Sequence, residues 1–277
     1  MPEGPEIRRA ADRIEQALRG EALTAVELHV AGLGDHARAL VGGAVTAVDT
    51  RGKAMLTRFD CGLSLYSHNQ LYGVWYVVPV GERPRTGRAL RVGLHTTRAS
   101  ALLYSATDVA LLSHVEELEH PFLRRIGPDI LDRRLTAADI AQRLDSARFR
   151  NRAVAGLYLD QSFIAGIGNY LRSEILHFAR VHPKARPADL DRNARNRLAR
   201  QTLAVTRRSY RTAGVTNLTG RARAMQKAGA GFEDRRFAAY ARAGRQCYRC
   251  DRPIRRVSLA TRAVFWCAGC QPLPRRA

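Results

Sequence analysis

Long apolar runs and lysine are both scarce in this chain of 277 residues. No apolar run approaches the roughly 18 residues of a transmembrane helix, so no insertion into a membrane is expected. The N-terminus also lacks the apolar core of a signal peptide. We therefore expect a soluble, cytoplasmic protein. Only three of the 46 basic residues are lysines, at positions 53, 184 and 227, so each lysine is a candidate for a specific role.

Cysteine is also rare, and four of the five cysteines lie close together near the C-terminus. Cys247 and Cys250 form one CxxC pair, and Cys267 and Cys270 form a second pair after 16 intervening residues. This spacing is typical of a tetrahedral four-thiolate Zn²⁺ site, which is structural because no coordination position stays open. A redox dithiol is the less favoured alternative. We expect the isolated Cys61 to be a core thiol within a strand.

Acidic residues are sparse in the second half of the chain. Of the net charge of +21, residues 151–277 carry +19 (26 Lys and Arg against 7 Asp and Glu), and residues 1–150 carry +2 (20 against 18). So basic a half predicts a polyanionic partner, nucleic acid first and an acidic membrane surface second.

Residues 22–107 contain short strand-like segments separated by Gly-rich or Pro-rich turns, and several of the segments alternate apolar and polar residues. The segments are residues 23–30, 44–50, 54–59, 63–68, 74–78, 90–96 and 101–105. This pattern predicts an antiparallel β-sandwich or barrel. An amphipathic helix is predicted before it, over residues 5–19. The sandwich with its N-terminal helix is expected to form one domain over residues 1–123.

A linker is predicted over residues 124–135, where Gly127-Pro128 signals a turn. Helical periodicity follows, over residues 136–144, 151–159, 168–178 and 189–211. Residues 213–231 lack clear periodicity and are expected to be a mobile loop. The second domain, residues 136–277, should therefore be helical and end in the cysteine module at residues 240–272, where residues 254–259 and 262–266 predict a β-hairpin. The fold class is α+β with two domains.

The start of the chain has the chemistry of a nucleophile. Removal of Met1 would leave a secondary amine on Pro2, and an α-amino group with a pKa near 8 is about one-tenth unprotonated at neutral pH. Such an amine attacks electrophilic carbon and leaves an iminium, and the neighbouring Glu3 could carry the proton that is moved. The plain alternative is an ordinary N-terminus whose proline tolerates removal of Met1.

Two further candidates lie in turns of the predicted sandwich. Lys53 follows Gly52 in a turn between two strands, where an ordinary surface lysine is the simpler explanation. Leu71 lies between Gln70 and Tyr72 in a loop, and it could be a wedge that replaces a base extruded from a duplex. The alternative for Leu71 is an apolar contact that holds the loop to the core.

Two candidates for phosphate contacts lie in the basic half. Gly166-Ile167-Gly168-Asn169 forms a compact turn that opens a helix, and its backbone N–H groups could approach a phosphate closely. Any tight turn between helices could have this sequence. Arg262 lies near the tip of the predicted hairpin, and together with Arg252, Arg255 and Arg256 it gives the module a basic surface that suits phosphate contacts.

Taken together, these segments resemble the formamidopyrimidine-DNA glycosylase / endonuclease VIII family over nearly the full length. The resemblance rests on five segments that occur in this order: Pro2–Glu6, Arg51–Lys53, Gly166–Asn169, Tyr240–Gly244 and the four-cysteine hairpin with Arg262. The start MPEGPEIRRAAD and the run SHNQLYGVW are similar to the endonuclease VIII branch. One departure is Gln246, because the family usually has a proline before the first zinc-ligand cysteine.

The resemblance implies a bifunctional DNA glycosylase/AP lyase of base excision repair that removes oxidised pyrimidines such as thymine glycol by β,δ-elimination. Pro2 would attack the sugar C1′, Glu3 would act as general acid/base, and Glu6 would support the site. Lys53 would hold a phosphate and assist proton transfer. This chemistry depends on the loss of Met1.

The resemblance also implies the binding residues and partners. Gln70, Leu71 and Tyr72 would fill the gap left by the flipped nucleotide, and Asn169 and Arg262 would hold phosphates. One structural zinc ion and double-stranded DNA with oxidised bases or abasic sites are expected, with a monomeric protein at the bacterial nucleoid. Three alternatives stay open: an oxidised-purine glycosylase of the same family, a non-enzymatic zinc-finger DNA-binding protein, and a tautomerase-like enzyme with an N-terminal proline.

Overall fold

The computed structural model describes residues 2–274, and the chain divides into two compact units between Ile126 and Gly127. The second unit thus includes residues 127–135, most of the segment that we predicted as a linker. Ile130 and Leu135 of this segment are buried in the core of the second unit. Across the described residues, no helix combines the length and apolar character that a membrane span requires.

The first unit contains two four-stranded antiparallel sheets, with strand orders β1-β6-β7-β5 and β2-β3-β4-β8. The predicted sandwich is therefore confirmed. The strands are β1 (Ala25–Leu28), β2 (Val45–Arg51), β3 (Ala54–Phe59), β4 (Ser64–His68), β5 (Val74–Pro79), β6 (Leu90–His95), β7 (Ala99–Tyr104) and β8 (Asp108–Leu112). The helices are α1 (Gly4–Leu18), α2 (Ala37–Leu40) and α3 (His114–Glu119). The sequence did not predict β8, α2 or α3.

Helix α1 packs its apolar face on the sandwich core. Ile7, Ala11, Ile14 and Leu18 recur at helical spacing, and each is at most 2% exposed. They join one core cluster with residues of both sheets, among them Val48. Burial of this face fixes the start of α1, and with it Pro2 and Glu3, against a rigid support.

The prediction for Cys61 was wrong. Strand β3 ends at Phe59, and the chain then turns through Asp60, Cys61 and Gly62 before β4 begins. Gly62 has a φ of 83°, in the left-handed region that such a turn requires. Cys61 is consequently exposed at the turn and does not contribute to the core.

The second unit is mainly helical and ends in a β-hairpin. Its helices are α4 (Ala137–Asp145), α5 (Val154–Leu157), α6 (Asn169–Ala179), α7 (Arg192–Arg211), α8 (Thr219–Lys227) and α9 (Phe232–Arg236). Strands β9 (Ile254–Leu259) and β10 (Arg262–Cys267) pair antiparallel from Arg262–Leu259 to Cys267–Ile254. Helix α6 packs against both α7 and β10, which places the hairpin beside the central helix of the core.

The prediction of a loop over residues 213–231 was wrong, because the segment contains α8. Ala222 is the only described residue of α8 that is buried, so the helix has no apolar stripe for a sequence pattern to show. The start of α8 is held instead by the buried Asn217, whose Oδ1 accepts a hydrogen bond from the backbone N–H of Leu218 at 2.9 Å.

Candidate functional site

Pro2 lies two residues before the start of α1 and is partly buried. Glu3 is the N-cap of the helix and only 3% exposed. Its backbone N–H donates to Oε2 of Glu6 at 3.0 Å, and the Glu6 N–H donates to the Glu3 carbonyl at 3.1 Å. The structure therefore brings Glu3 and Glu6 together at the positive end of the helix dipole, where an anion is favoured. Met1 is outside the described residues.

Lys53 occupies the second position of a two-residue turn between β2 and β3. Gly52, at the first position, has a φ of 66°, which a primed hairpin turn requires there. Ala54 pairs with His68 of β4, and His68 pairs with Asp108 of β8. Lys53 therefore lies next to a row of paired residues that runs across β3, β4 and β8. Burial lowers the pKa of His68; the Asp108 carboxylate opposes this shift, and the charge of Lys53 adds to it.

The loop after β4 presents two large side chains to solvent. Leu71 is 52% exposed and Tyr72 is 66% exposed, so neither of them holds the loop to the core. The loop is held by its neighbours instead: the Gln70 N–H donates to Nδ1 of His68 at 3.2 Å, and Thr107 Oγ1 donates to the Gln70 side chain at 3.0 Å. The geometry is that of a fixed loop with an apolar tip, which suits insertion into a base stack.

Asn169 is the first residue of α6, at the end of a turn that one side chain braces. Gln161 Nε2 donates to the carbonyls of Leu159 (3.0 Å) and Ile167 (2.9 Å), and its Oε1 accepts from the Gly166 N–H at 3.0 Å. Gly166 has a φ of 99°, which side-chain-bearing residues rarely adopt. The turn is therefore a rigid approach to a helix N-terminus, the arrangement that binds phosphate.

A buried guanidinium joins Asn169 to the hairpin. Arg172 is 0% exposed, and its Nη2 donates to Asn169 Oδ1 at 2.5 Å and to the carbonyls of Arg262 and Ala263 at 3.3 and 3.1 Å. Its Nη1 reaches the carbonyl of Leu259 at 3.3 Å. The structure thus brings both predicted phosphate-binding residues to one junction. The side chain of Arg262 is exposed there.

A buried carboxylate fixes the segment that leads to the cysteines. Glu174 is 0% exposed and accepts hydrogen bonds from the backbone N–H groups of Ala238, Ala239 and Tyr240 at 2.6–2.9 Å. Thr216 Oγ1 donates to the same carboxylate at 2.6 Å. The sequence analysis missed Gln161, Arg172 and Glu174. For the latter two there was a signal, because both are charged residues inside the otherwise largely apolar helix α6.

The four C-terminal cysteines converge, with all sulfur atoms within 4.8 Å of one another. The measured separations are 3.8 Å for Cys247–Cys270, 3.3 Å for Cys250–Cys267 and 3.5 Å for Cys250–Cys270. Four sulfurs bound to zinc at about 2.3 Å in a tetrahedron would be about 3.8 Å apart. The cluster could therefore hold a metal ion, and an ion would relieve the repulsion among four thiolates.

Comparison with known proteins agrees with this geometry. Residues 1–108 match the formamidopyrimidine-DNA glycosylase N-terminal domain, and residues 126–219 match the formamidopyrimidine-DNA glycosylase H2TH domain. Endonuclease 8 of Klebsiella pneumoniae (strain 342) is 48% identical over 271 residues, which are 98% of this chain and 100% of the relative. Endonuclease 8 of Salmonella arizonae is 47% identical over the same shares of both chains.

Among solved structures, the complex of Lactococcus lactis Fpg with DNA containing an abasic site has the same fold. It superposes with a TM-score of 0.79, covers 98% of this chain and 99% of that chain, and is 18% identical in sequence.

The fold and the site define a DNA glycosylase with AP lyase activity, built from a β-sandwich and a helix–two-turn–helix unit with a four-cysteine module. The chain belongs to the formamidopyrimidine-DNA glycosylase / endonuclease VIII family. The predicted family, fold class and enzyme class are confirmed.

Proposed function

We propose that this protein removes oxidised pyrimidines, thymine glycol among them, from double-stranded DNA and then cuts the strand at the abasic site. The observation that supports this most is the start of α1, where Pro2 directly precedes the buried Glu3 and Glu6 holds the Glu3 backbone. The similarity to the two endonuclease 8 relatives favours pyrimidine over purine lesions.

The glycosylase step needs a free amine on Pro2, hence the loss of Met1. The amine attacks C1′ of the damaged nucleotide, the bond from C1′ to the base breaks, and the base leaves with a proton. Glu3 moves protons at the sugar as general acid/base. Glu6 keeps Glu3 in place, and Lys53 holds a phosphate and assists proton transfer. The C1′–O4′ bond of the sugar ring then breaks, with a proton delivered to O4′, and the product of this step is a ring-opened iminium between Pro2 and C1′.

The lyase step follows from the iminium, which acidifies the neighbouring C2′ proton. Removal of that proton expels the 3′ phosphate, and a second elimination expels the 5′ phosphate. Hydrolysis then frees Pro2. The expected product is a one-nucleotide gap with phosphates at both ends.

The binding residues offset the cost of extruding the nucleotide, which is a few kcal/mol. Gln70, Leu71 and Tyr72 fill the vacancy in the duplex, while Asn169 and Arg262 hold phosphates beside it. One structural Zn²⁺ would be held by the four cysteines, Cys247, Cys250, Cys267 and Cys270. The ion would cross-link the hairpin that carries Arg262. We infer a monomer that acts on nucleoid DNA in the cytoplasm.

Borohydride trapping on a duplex that contains thymine glycol tests the proposal. The reductant converts the iminium into a stable bond, so protein shown by mass spectrometry to lack Met1 should yield a covalent adduct with DNA. Pro2→Gly should lose the adduct, and Pro79→Gly, at an exposed proline of the same unit, should retain it.

The alternatives give different results in the same assay. Much greater activity on 8-oxoguanine paired with cytosine would establish the oxidised-purine branch. Tight binding to the lesion duplex without any adduct, in protein that lacks Met1, would indicate a non-enzymatic binding protein and overturn the proposal.

A further inference from the structure

A cavity of about 480 Å³ lies in the second unit, between α6, α7 and the segment that contains the first cysteine pair. Five arginines line it, and among the described residues no Asp or Glu does. They are Arg180, Arg197, Arg208, Arg221 and Arg249. The function proposed above uses none of these residues.

The positive charge of this cavity is poorly neutralised. Arg208 donates from Nε to the carbonyl of Thr216 at 2.8 Å, but its Nη2 atom is buried without a hydrogen-bond partner within the described part of the chain. The carboxylate charge of Glu174 favours the charged form of Arg208, but this carboxylate already accepts hydrogen bonds from four other groups. An anion in the cavity would supply the counter-charge that no carboxylate in its lining provides.

Aromatic rings orient two of the guanidinium groups. The Cζ atom of Arg208 lies 4.7 Å from the ring centroid of Phe178, and that of Arg221 lies 4.6 Å from the ring centroid of Tyr248. A guanidinium held over an aromatic ring keeps its planar fork ready for a tetrahedral oxyanion. The apolar rings and Leu218 also line the cavity, so it suits a ligand with both a phosphate and an apolar or ring portion.

The cavity is separate from the turn that we assign to DNA. Asn169 begins α6, whereas His177, Phe178 and Arg180 line the cavity at the other end of this 11-residue helix. At 1.5 Å per residue the two ends are about 15 Å apart. The volume falls in the range of small-molecule sites, roughly 300–1,000 Å³.

We propose that this arginine-lined cavity is a second anion site that binds a small phosphate-bearing molecule of up to nucleotide size. The ligand's phosphate would accept hydrogen bonds from the arginine forks, and its remaining part would contact Phe178, Leu218 and Tyr248.

Calorimetric titration of the zinc-loaded full chain, at about 0.15 M salt to screen surface charge, tests this proposal. Thymidine 5′-monophosphate should bind saturably with one site per chain, and neutral thymidine should not bind. The double variant Arg180→Asn/Arg249→Gln should weaken binding by about tenfold or more, because it removes two of the five guanidinium groups that line the cavity. Asparagine suits position 180, where φ is 57°.

The matched control is Arg192→Gln/Arg223→Gln, which removes the same charge from two exposed arginines that do not line the cavity. Its affinity for thymidine 5′-monophosphate should equal that of the wild type. Equal weakening in the control, no binding at all, or displacement of the nucleotide by an undamaged duplex would overturn the proposal. Tighter binding of a tetraglutamate peptide than of the nucleotide would overturn the phosphate assignment.

Activity on the thymine-glycol duplex separates this proposal from the function proposed above. The cavity variant should keep its zinc and wild-type activity on that duplex. If the double variant loses zinc, the single variant Arg180→Asn replaces it in the titration, because residue 180 is outside the cysteine module. Unchanged affinity of that variant for thymidine 5′-monophosphate would contradict the proposal. Inactivity of the wild-type enzyme on every lesion would refute the enzymatic function without affecting the titration.

Discussion

Replacement of Arg172 by methionine should uncouple the two predicted phosphate-binding residues. The buried guanidinium of Arg172 serves five acceptors at 2.5–3.3 Å, namely the Asn169 side chain and the carbonyls of Ala155, Leu259, Arg262 and Ala263. Methionine fills much of the same volume but donates no hydrogen bond. Helix α6 and the hairpin would then keep their apolar contacts and lose the junction between them.

The expected loss of stability follows from these contacts. Hydrogen bonds to a charged donor contribute roughly 1.5–3 kcal/mol each, but they are not additive when they share one group. Loss of the donor leaves five acceptors without this partner, and an unsatisfied buried polar group costs roughly 1–3 kcal/mol. We therefore expect the free energy of unfolding to fall by about 3–5 kcal/mol, measured by denaturant titration of the zinc-loaded protein.

DNA affinity distinguishes a positioning role from mere destabilisation. For a duplex with an uncleavable abasic analogue, Arg172→Met should weaken binding by about ten- to a hundredfold under conditions where the variant is fully folded. Arg58→Met, which removes a guanidinium paired with Glu117 in the other unit, should lower stability and leave affinity unchanged. In a background of Asn169→Ala and Arg262→Ala, Arg172→Met should add little. A full additional loss in that background would refute the reasoning.

Three further predictions concern the loop, pH and the metal. Leu71→Ala should lower kcat/KM on a lesion duplex by about tenfold, because an apolar wedge of this size contributes roughly 1–2 kcal/mol. Val80→Ala, at another exposed apolar residue, should leave kcat/KM unchanged. An equal loss in both variants would contradict the role of Leu71 as a wedge. The pKa of His68 is lowered in the folded protein, so its contribution to stability is complete above the unfolded pKa near 6.5 and is lost as pH falls through the folded pKa. His68→Asn should therefore reduce the loss of stability at acid pH in a stability–pH profile. An unchanged slope would count against this role of His68. Cys267→Ser should lower zinc content and lesion-DNA affinity together, as measured by metal analysis and binding, and full affinity in metal-free protein would disprove the structural role of zinc.

The strands that the sequence predicted are short segments bounded by clear turn residues, and several of them alternate apolar and polar residues. Strand β3, Ala54–Phe59, was predicted with its observed bounds because Gly52-Lys53 precedes it and Asp60–Gly62 follows it. Strand β8 was missed because it is an edge strand: four of its five residues are only partly buried, and its one partner, β4, lies about 40 residues earlier in the chain. Such a strand forms because it pairs with a distant strand, so its own sequence shows little alternation of buried and exposed residues.

In the candidate site too, residues with a local sequence signal were predicted and residues defined by distant contacts were missed. Pro2, Lys53 and the cysteines were found because their chemistry is carried by the residue type itself and by short spacings. Arg172 could not be assigned a role in this way, because most of its partners are backbone carbonyls from two distant segments. Backbone acceptors are present at every residue and have no sequence signature. Only the folded chain shows which of them face a buried guanidinium.

The carboxylate of Glu174 has a consequence for the order in which the chain folds. The three amides that it binds lie 64, 65 and 66 residues later in the chain, and they belong to no helix or strand. Contacts this distant form late, because the loop between them must close before they stabilise anything. We therefore expect the segment before the first cysteine to acquire its conformation only after α6 has formed. The four-cysteine module would then be completed as one of the last steps of folding, on a helical core that is already in place.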